Sequence, residues 1–158
     1  MSRSPTLVAL GQRFAGDDAV GLAVADRLRA AGVLVVEARD AADLVEALGA
    51  GGEVILVDAL RGPGAPGSVR VIAPEDVDRD GAAAISSHGL DVPGAVALAA
   101  ALHPGAPPPR LCIVGVVVGA VERFSPGLSP PVAAAVERAA EAVLELCGSP
   151  AKDRCYRV

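Results

Sequence analysis

At 158 residues and a formal net charge of −5, the chain reads as one domain, 1–158, with a real core, and its charge opposes a phosphate-backbone partner. Its aromatic residues are Phe14, Phe124 and Tyr156, 2% of the chain, so it has no stacking platform for bases and no nucleic acid is expected as partner. No apolar stretch is long enough for membrane insertion, and Met1–Pro5 lacks the apolar segment of a signal peptide.

Thr6–Leu10 is short and apolar, as a buried strand should be. Gly11–Gly21 (Gly-Gln-Arg-Phe-Ala-Gly-Asp-Asp-Ala-Val-Gly) closes that run and opens a helix, for Val20, Ala23, Val24, Leu28 and Ala31 recur at helical spacing. Asp17 and Asp18 therefore sit in a strand-to-helix turn among glycines that permit positive φ and close backbone approach. One aspartate can cap the first helical turn. The second adds repulsion that capping does not require, and a cation is the obvious partner for it.

Val33–Glu37 follows Gly32, a natural helix stop, and reads as a second strand. Asp40 and Asp43 start a short helix that Gly49 ends. Glu53–Asp58 is an apolar third strand closing on a carboxylate. Arg61–Gly67 is a Gly/Pro turn, and Ser68–Ile72 beyond it is a fourth strand, expected to lie antiparallel to the third because no helix intervenes. Ala73–Ile85 looks irregular. Ser86-Ser87-His88-Gly89-Leu90 leads into a helix from about Asp91 to Leu102, with Pro93 in its first turn. Leu111–Val118 is the fifth strand. Ser129 caps the last helix, whose first turn holds Pro130 and Pro131 and which runs to about Cys147, leaving 148–158 as a loose tail. Cys112, Cys147 and Cys155 are an odd set without CxxC spacing, which fits a reduced, cytoplasmic chain, with Cys112 as a small core residue.

This alternation describes an α/β fold: a three-layer α/β/α sandwich around an about five-stranded, mostly parallel sheet with one antiparallel strand. Such sheets bind ligands beyond the strand carboxyl ends, at a switch point. Asp17 and Asp18 follow strand one, Asp58 ends strand three, and His88 enters a helix. Taken singly, Asp18 reads as an N-cap, Asp58 as a turn former and His88 as a surface histidine. Taken together on one rim, they suit a first-row metal with oxygen and nitrogen ligands. Other constellations fail: Gly11 and Gly16 lack the Lys-Ser/Thr of a phosphate loop and the spacing of a dinucleotide fold, so no nucleotide is expected. Ser86, Ser87 and His88 lack a Gly-x-Ser-x-Gly elbow.

Gly11-Gln12 with Gly16-Asp17-Asp18-Ala19-Val20-Gly21 resembles the N-terminal signature of the hydrogenase maturation endopeptidases, which trim the C-terminus of the large subunit in nickel–iron hydrogenases. Ile55-Leu56-Val57-Asp58-Ala59 with Gly64-x-x-Gly67, Ser86-Ser87-His88-Gly89-Leu90, and Gly115–Val118 with Gly127-Leu128-Ser129-Pro130-Pro131-Val132 are similar to its later blocks, in the same order. Gln12 and Ala19 depart from the family's Asn and Gly. Gln12 keeps the amide on a longer arm, and alanine tolerates a helix start.

The resemblance implies a peptidase whose catalytic and metal-binding residues are Asp18, Asp58 and His88. It implies a partner, the C-terminal region of a hydrogenase large-subunit precursor. It also implies that the metal is nickel, presented by that substrate, with no organic cofactor. Two carboxylates and one imidazole form a sparse set for a permanent metal site, which fits a metal that arrives with the substrate. The alternative from another class is a metal-sensing chaperone that binds a metallated precursor without cleaving it.

Overall fold

The apolar runs of the sequence become the middle of a sheet. The computed structural model describes residues 4–74, 84–85, 92–119 and 126–150. In chain order these form β1 (Thr6–Leu10), a 3-10 turn (Gly16–Ala19), α1 (Val20–Ala30), β2 (Val36–Ala38), α2 (Ala41–Leu48) and β3 (Glu53–Arg61). Then follow β4 (Val69–Ile72), β5 (Ala84–Ile85), α3 (Val92–Leu102), β6 (Arg110–Val117) and α4 (Pro130–Gly148). The sheet order is β2-β1-β3-β6-β4, with the two-residue β5 pairing β3. The first four of that order run parallel; β4 is antiparallel to β6, and β5 to β3. This is the expected three-layer architecture, extended by one very short strand.

Side-chain alternation sorts β3 onto the two faces. Ile55, Val57 and Ala59 join the cluster that α1 and α4 cover, with Val24, Leu28, Val132 and Val143. Val54, Leu56 and Leu60 join the opposite cluster, with Leu44 and Leu48 of α2 and Val92, Ala95 and Ala99 of α3. Burial on both faces is what makes β3 and β6 near-continuous apolar runs. No helix among the described residues is long and apolar enough to cross a membrane.

The structure departs from the sequence reading in four places. β2 begins at Val36, since the Val33 N–H still bonds back to the Leu28 carbonyl (3.0 Å) and serves the C-terminus of α1. β3 does not end at Asp58 but continues to Arg61, because β6 and β5 pair with its last residues. β4 is antiparallel, but its partner is β6 rather than β3: the turn before it docks on β6 through Gly67 N–H to Val117 O and Val117 N–H to Ser68 O, each 2.8 Å. Cys112 is fully buried, as expected of a core residue, yet it is disulfide-bonded. That corrects the reduced reading, for sequence spacing does not report which sulfurs the fold brings together. Cys147, half-buried, keeps its thiol. His88 with its block, and the tail 151–158, lie outside the described residues.

Candidate active site

The sheet order places β1 between β2 and β3, so successive connections leave β1 to opposite sides and open a crevice at the carboxyl ends of β1 and β3. The Gly11–Gly21 segment crosses that point. Gly11 and Gly16 take positive φ (154° and 60°) to make the turn. Gly21 has a different reason to be glycine: a Cβ there would collide with the Leu10 carbonyl oxygen, and would lie 2.8 Å from Val57 O and 3.3 Å from the Asp58 Cα. The first turn of α1 thus rests directly on the backbone at Asp58. Ala19, where the resembled family has glycine, sits at φ −83°, ψ 0°, a conformation that accepts a side chain.

Register fixes the height of Asp58. Ala9 pairs with Val57, so Asp58 is level with Leu10, the last residue of β1. It is a strand-interior residue, paired with Gly115 of β6, yet it stands at the height where its neighbour β1 ends. Among the described residues it is the one charged side chain that is completely buried. Its Oδ1 accepts the N–H of Ala59 at 2.7 Å. A carboxylate in that setting is costly unless charge and hydrogen bonds compensate it.

The two adjacent aspartates of the turn have separate fates. Neither caps α1, whose N-cap Ala19 has no side-chain hydrogen bond. Asp17 reaches across the molecule to the N-terminus of α4: Ser129 donates its N–H to Oδ1 at 2.6 Å and its hydroxyl to Oδ2 at 2.7 Å. So Ser129 does not cap α4 with its own side chain. The carboxylate does so from 112 residues away, with its charge at the positive end of the helix dipole. Among the described residues Asp18 has no such donor. Its side chain is 17% exposed, and among the described residues its buried Oδ1 has no hydrogen-bond partner. The nearest cation is Arg61, whose Nη2 lies 3.6 Å from Oδ1, an ion pair too long to be a hydrogen bond.

Asp18 and Asp58 are therefore brought to one rim, Asp18 from the α1 side and Asp58 by alternation from the α2/α3 side. The third sequence-predicted residue, His88, lies outside the described residues. Among the described residues no three His, Cys, Asp or Glu side chains form a metal-holding group. An orphaned carboxylate oxygen and a buried second carboxylate are nevertheless the donor chemistry that a divalent cation takes. Arg61, which the sequence reading assigned to the turn, is the neighbour of Asp18 that it missed. The signal was present in the surplus charge of Asp17-Asp18, which called for a cation. Beside the turn, Phe14, Ala19, Leu22, Ala23 and Leu128 line an open groove of about 300 Å³ that includes neither Asp18 nor Asp58.

Arg13 pins the loop from outside. Its guanidinium reaches Glu37 at 2.6 Å and Asp26 at 3.3 Å, and Arg29 joins both carboxylates. The hydrogen bond from Arg29 is the main reason that the Glu37 carboxyl is held below its ordinary value of 4.5.

A search of curated protein sequences finds no match. Solved structures match over nearly the whole chain. The [NiFe] hydrogenase maturation protease HybD from Thermococcus kodakarensis is 22% identical with a TM-score of 0.75, covering 92% of this chain and 99% of that one. The hydrogenase maturating endopeptidase HybD from E. coli is 24% identical with a TM-score of 0.71, covering 90% and 91%. The endopeptidase HycI from Escherichia coli is 19% identical with a TM-score of 0.65, covering 89% of each chain. At these identities the likeness shows the fold. The family model described as HycI, hydrogenase maturation protease, matches residues 24–146, a span that contains Asp58 and His88 and begins just after the Asp17-Asp18 turn. With most of its length matched, this chain belongs to the hydrogenase maturation protease family.

Proposed function

We propose that this protease removes the C-terminal extension of a hydrogenase large-subunit precursor after nickel has been inserted, and that Asp18, Asp58 and His88 are the residues that do it. The observation that carries the reading is the state of the two carboxylates in a chain of this family. Asp58 is wholly buried, and Asp18 keeps a buried oxygen without a hydrogen-bond donor among the described residues. Such groups are poised for a cation, and an added imidazole suits a first-row ion. The nickel here is cargo of the substrate. Two carboxylates and one imidazole hold a free divalent ion weakly, but they complete the coordination of an ion that the precursor already ligates. The nickel-bearing segment is then gripped at the switch point, and the peptide bond beyond it is held for attack. The chemistry is hydrolysis: water adds to the carbonyl carbon, the C–N bond breaks, and a proton passes to the leaving amine.

The test is incubation of the purified protein with nickel-loaded and nickel-free precursor, followed by mass spectrometry, with metal content measured on the enzyme. The expected result is a released C-terminal peptide from the loaded precursor alone, and little stoichiometric metal on the enzyme. Equal cleavage of both precursors would remove the nickel check. Tight binding of the loaded precursor without a released peptide would favour the chaperone reading, which family membership argues against.

A further inference from the structure

We propose that Arg61 is a placeholder for the metal: its guanidinium occupies the charge position beside Asp18 until a metal-bearing substrate displaces it. The inference rests on the site assignment above and adds to it a residue that sets selectivity. Three observations carry it. Asp18 Oδ1 is buried and, among the described residues, accepts no hydrogen bond. The Arg61 Nη2 sits 3.6 Å from that same oxygen, near enough to balance its charge and too far to satisfy it. Arg61 is also the last residue of the strand that carries Asp58, and its side chain is 45% exposed, so it has solvent to move into.

A hydrogen-bonded arginine would hold Asp18 firmly, and an absent one would leave the carboxylate open to any divalent ion. The observed pair lies between these cases. A divalent cation bound to Oδ1 and a guanidinium within 4 Å of it are like charges competing for one oxygen, and their repulsion grows as water is excluded. Metal binding at Asp18 therefore expels Arg61, and the work of expelling it is subtracted from the affinity for a free ion. An ion delivered by the precursor, with its other ligands already in place, overcomes that opposition. A free ion meets it unaided and binds more weakly by that amount. Arg61 is on this account a positioning residue, acting through Asp18.

The experiment is calorimetric titration of Ni²⁺ alone into the purified protein and the variants Arg61→Ala, Arg61→Lys, Asp18→Asn and Arg61→Ala/Asp18→Asn, at low and high salt, with circular dichroism to verify folding. The expected result is Ni²⁺ binding roughly fivefold tighter in Arg61→Ala, the size of one weak ion pair. Arg61→Lys should stay close to the parent, and the gain should shrink at high salt. Unchanged or weaker binding in Arg61→Ala, or no measurable binding up to millimolar Ni²⁺, would overturn the placeholder. If the gain is absent while Asp18→Asn still lowers affinity, the placeholder fails and the site assignment stands. If Asp18→Asn leaves affinity unchanged in both backgrounds, the metal lies elsewhere, and the site assignment fails together with the placeholder. A lysine variant that gains affinity as alanine does would show that bulk rather than charge is responsible, and would also overturn it.

Discussion

Asp17 and Asp18 are neighbours in one 3-10 turn, yet the fold treats them oppositely. Asp17 has both oxygens engaged by Ser129, one through the backbone N–H and one through the hydroxyl, and ties the turn to the start of α4. Asp18 faces a long ion pair and retains a buried oxygen without a donor among the described residues. A half-buried carboxylate with both oxygens hydrogen-bonded is a fastening. A carboxylate with a buried, unsatisfied oxygen raises the energy of the resting protein, and such a cost fits a site meant for something else. On the proposed function the pair divides into one residue for architecture and one for chemistry, with the turn anchored through the first.

The sharpest way to break this division is Asp18→Asn. It should lower precursor cleavage by about a hundredfold or more while leaving the melting curve close to that of the parent, measured by mass spectrometry of the precursor and by circular dichroism. Near-normal cleavage would move the chemistry away from Asp18. Gly21→Ala should act on stability instead. Its methyl group would meet the Leu10 and Val57 carbonyl oxygens, which are sheet backbone and cannot yield, and a cost of about 3 kcal/mol is expected from denaturant unfolding. Asp17→Ala should cost less, about 1–3 kcal/mol for the loss of two hydrogen bonds at the helix start. Cleavage should persist well below its melting temperature. Were Asp17→Ala to abolish cleavage at full stability, the two roles would not be separable.

The smallest expected effect lies at the outer end of the loop, where Arg13 and Arg29 share Glu37. The Glu37 carboxyl is lowered first by the hydrogen bond from Arg29, and its pairing with Arg13 acts in the same direction. A depressed carboxylate contributes stability above its unfolded value of 4.5 and loses it as pH falls through the lower folded value. Loop anchoring should thus be constant at neutral pH and weaken only below about pH 4.5. Arg29→Ala should move the Glu37 titration upward when followed by NMR, with little change in cleavage at neutral pH. An unmoved titration would assign the shift elsewhere.

Much of the architecture is legible in the sequence. Apolar runs mark β1, β3 and β6, Asp40 caps α2 through the Asp43 N–H as its spacing implies, and the prolines mark the start of α4. The Asp17-Asp18 turn is recognisable because a strand-to-helix turn has a fixed place on a parallel sheet, and Asp58 because it is a carboxylate at the end of an apolar run. Those features depend on residues a few positions apart, where periodicity, capping and turn chemistry act. What lies beyond that range was decided by the tertiary structure. Whether Asp17 or Asp18 is satisfied depends on where Ser129 arrives, 112 residues later. The partner of β4 depends on β6 having already taken the place beside β3, and the pairing of Arg61 with Asp18 depends on β3 continuing past Asp58. Hydrophobic patterning is local and repeats along the chain, so it can be read from the sequence. The pairing of single polar groups is settled only when the chain has closed on itself, because one donor and one acceptor carry no period to announce them.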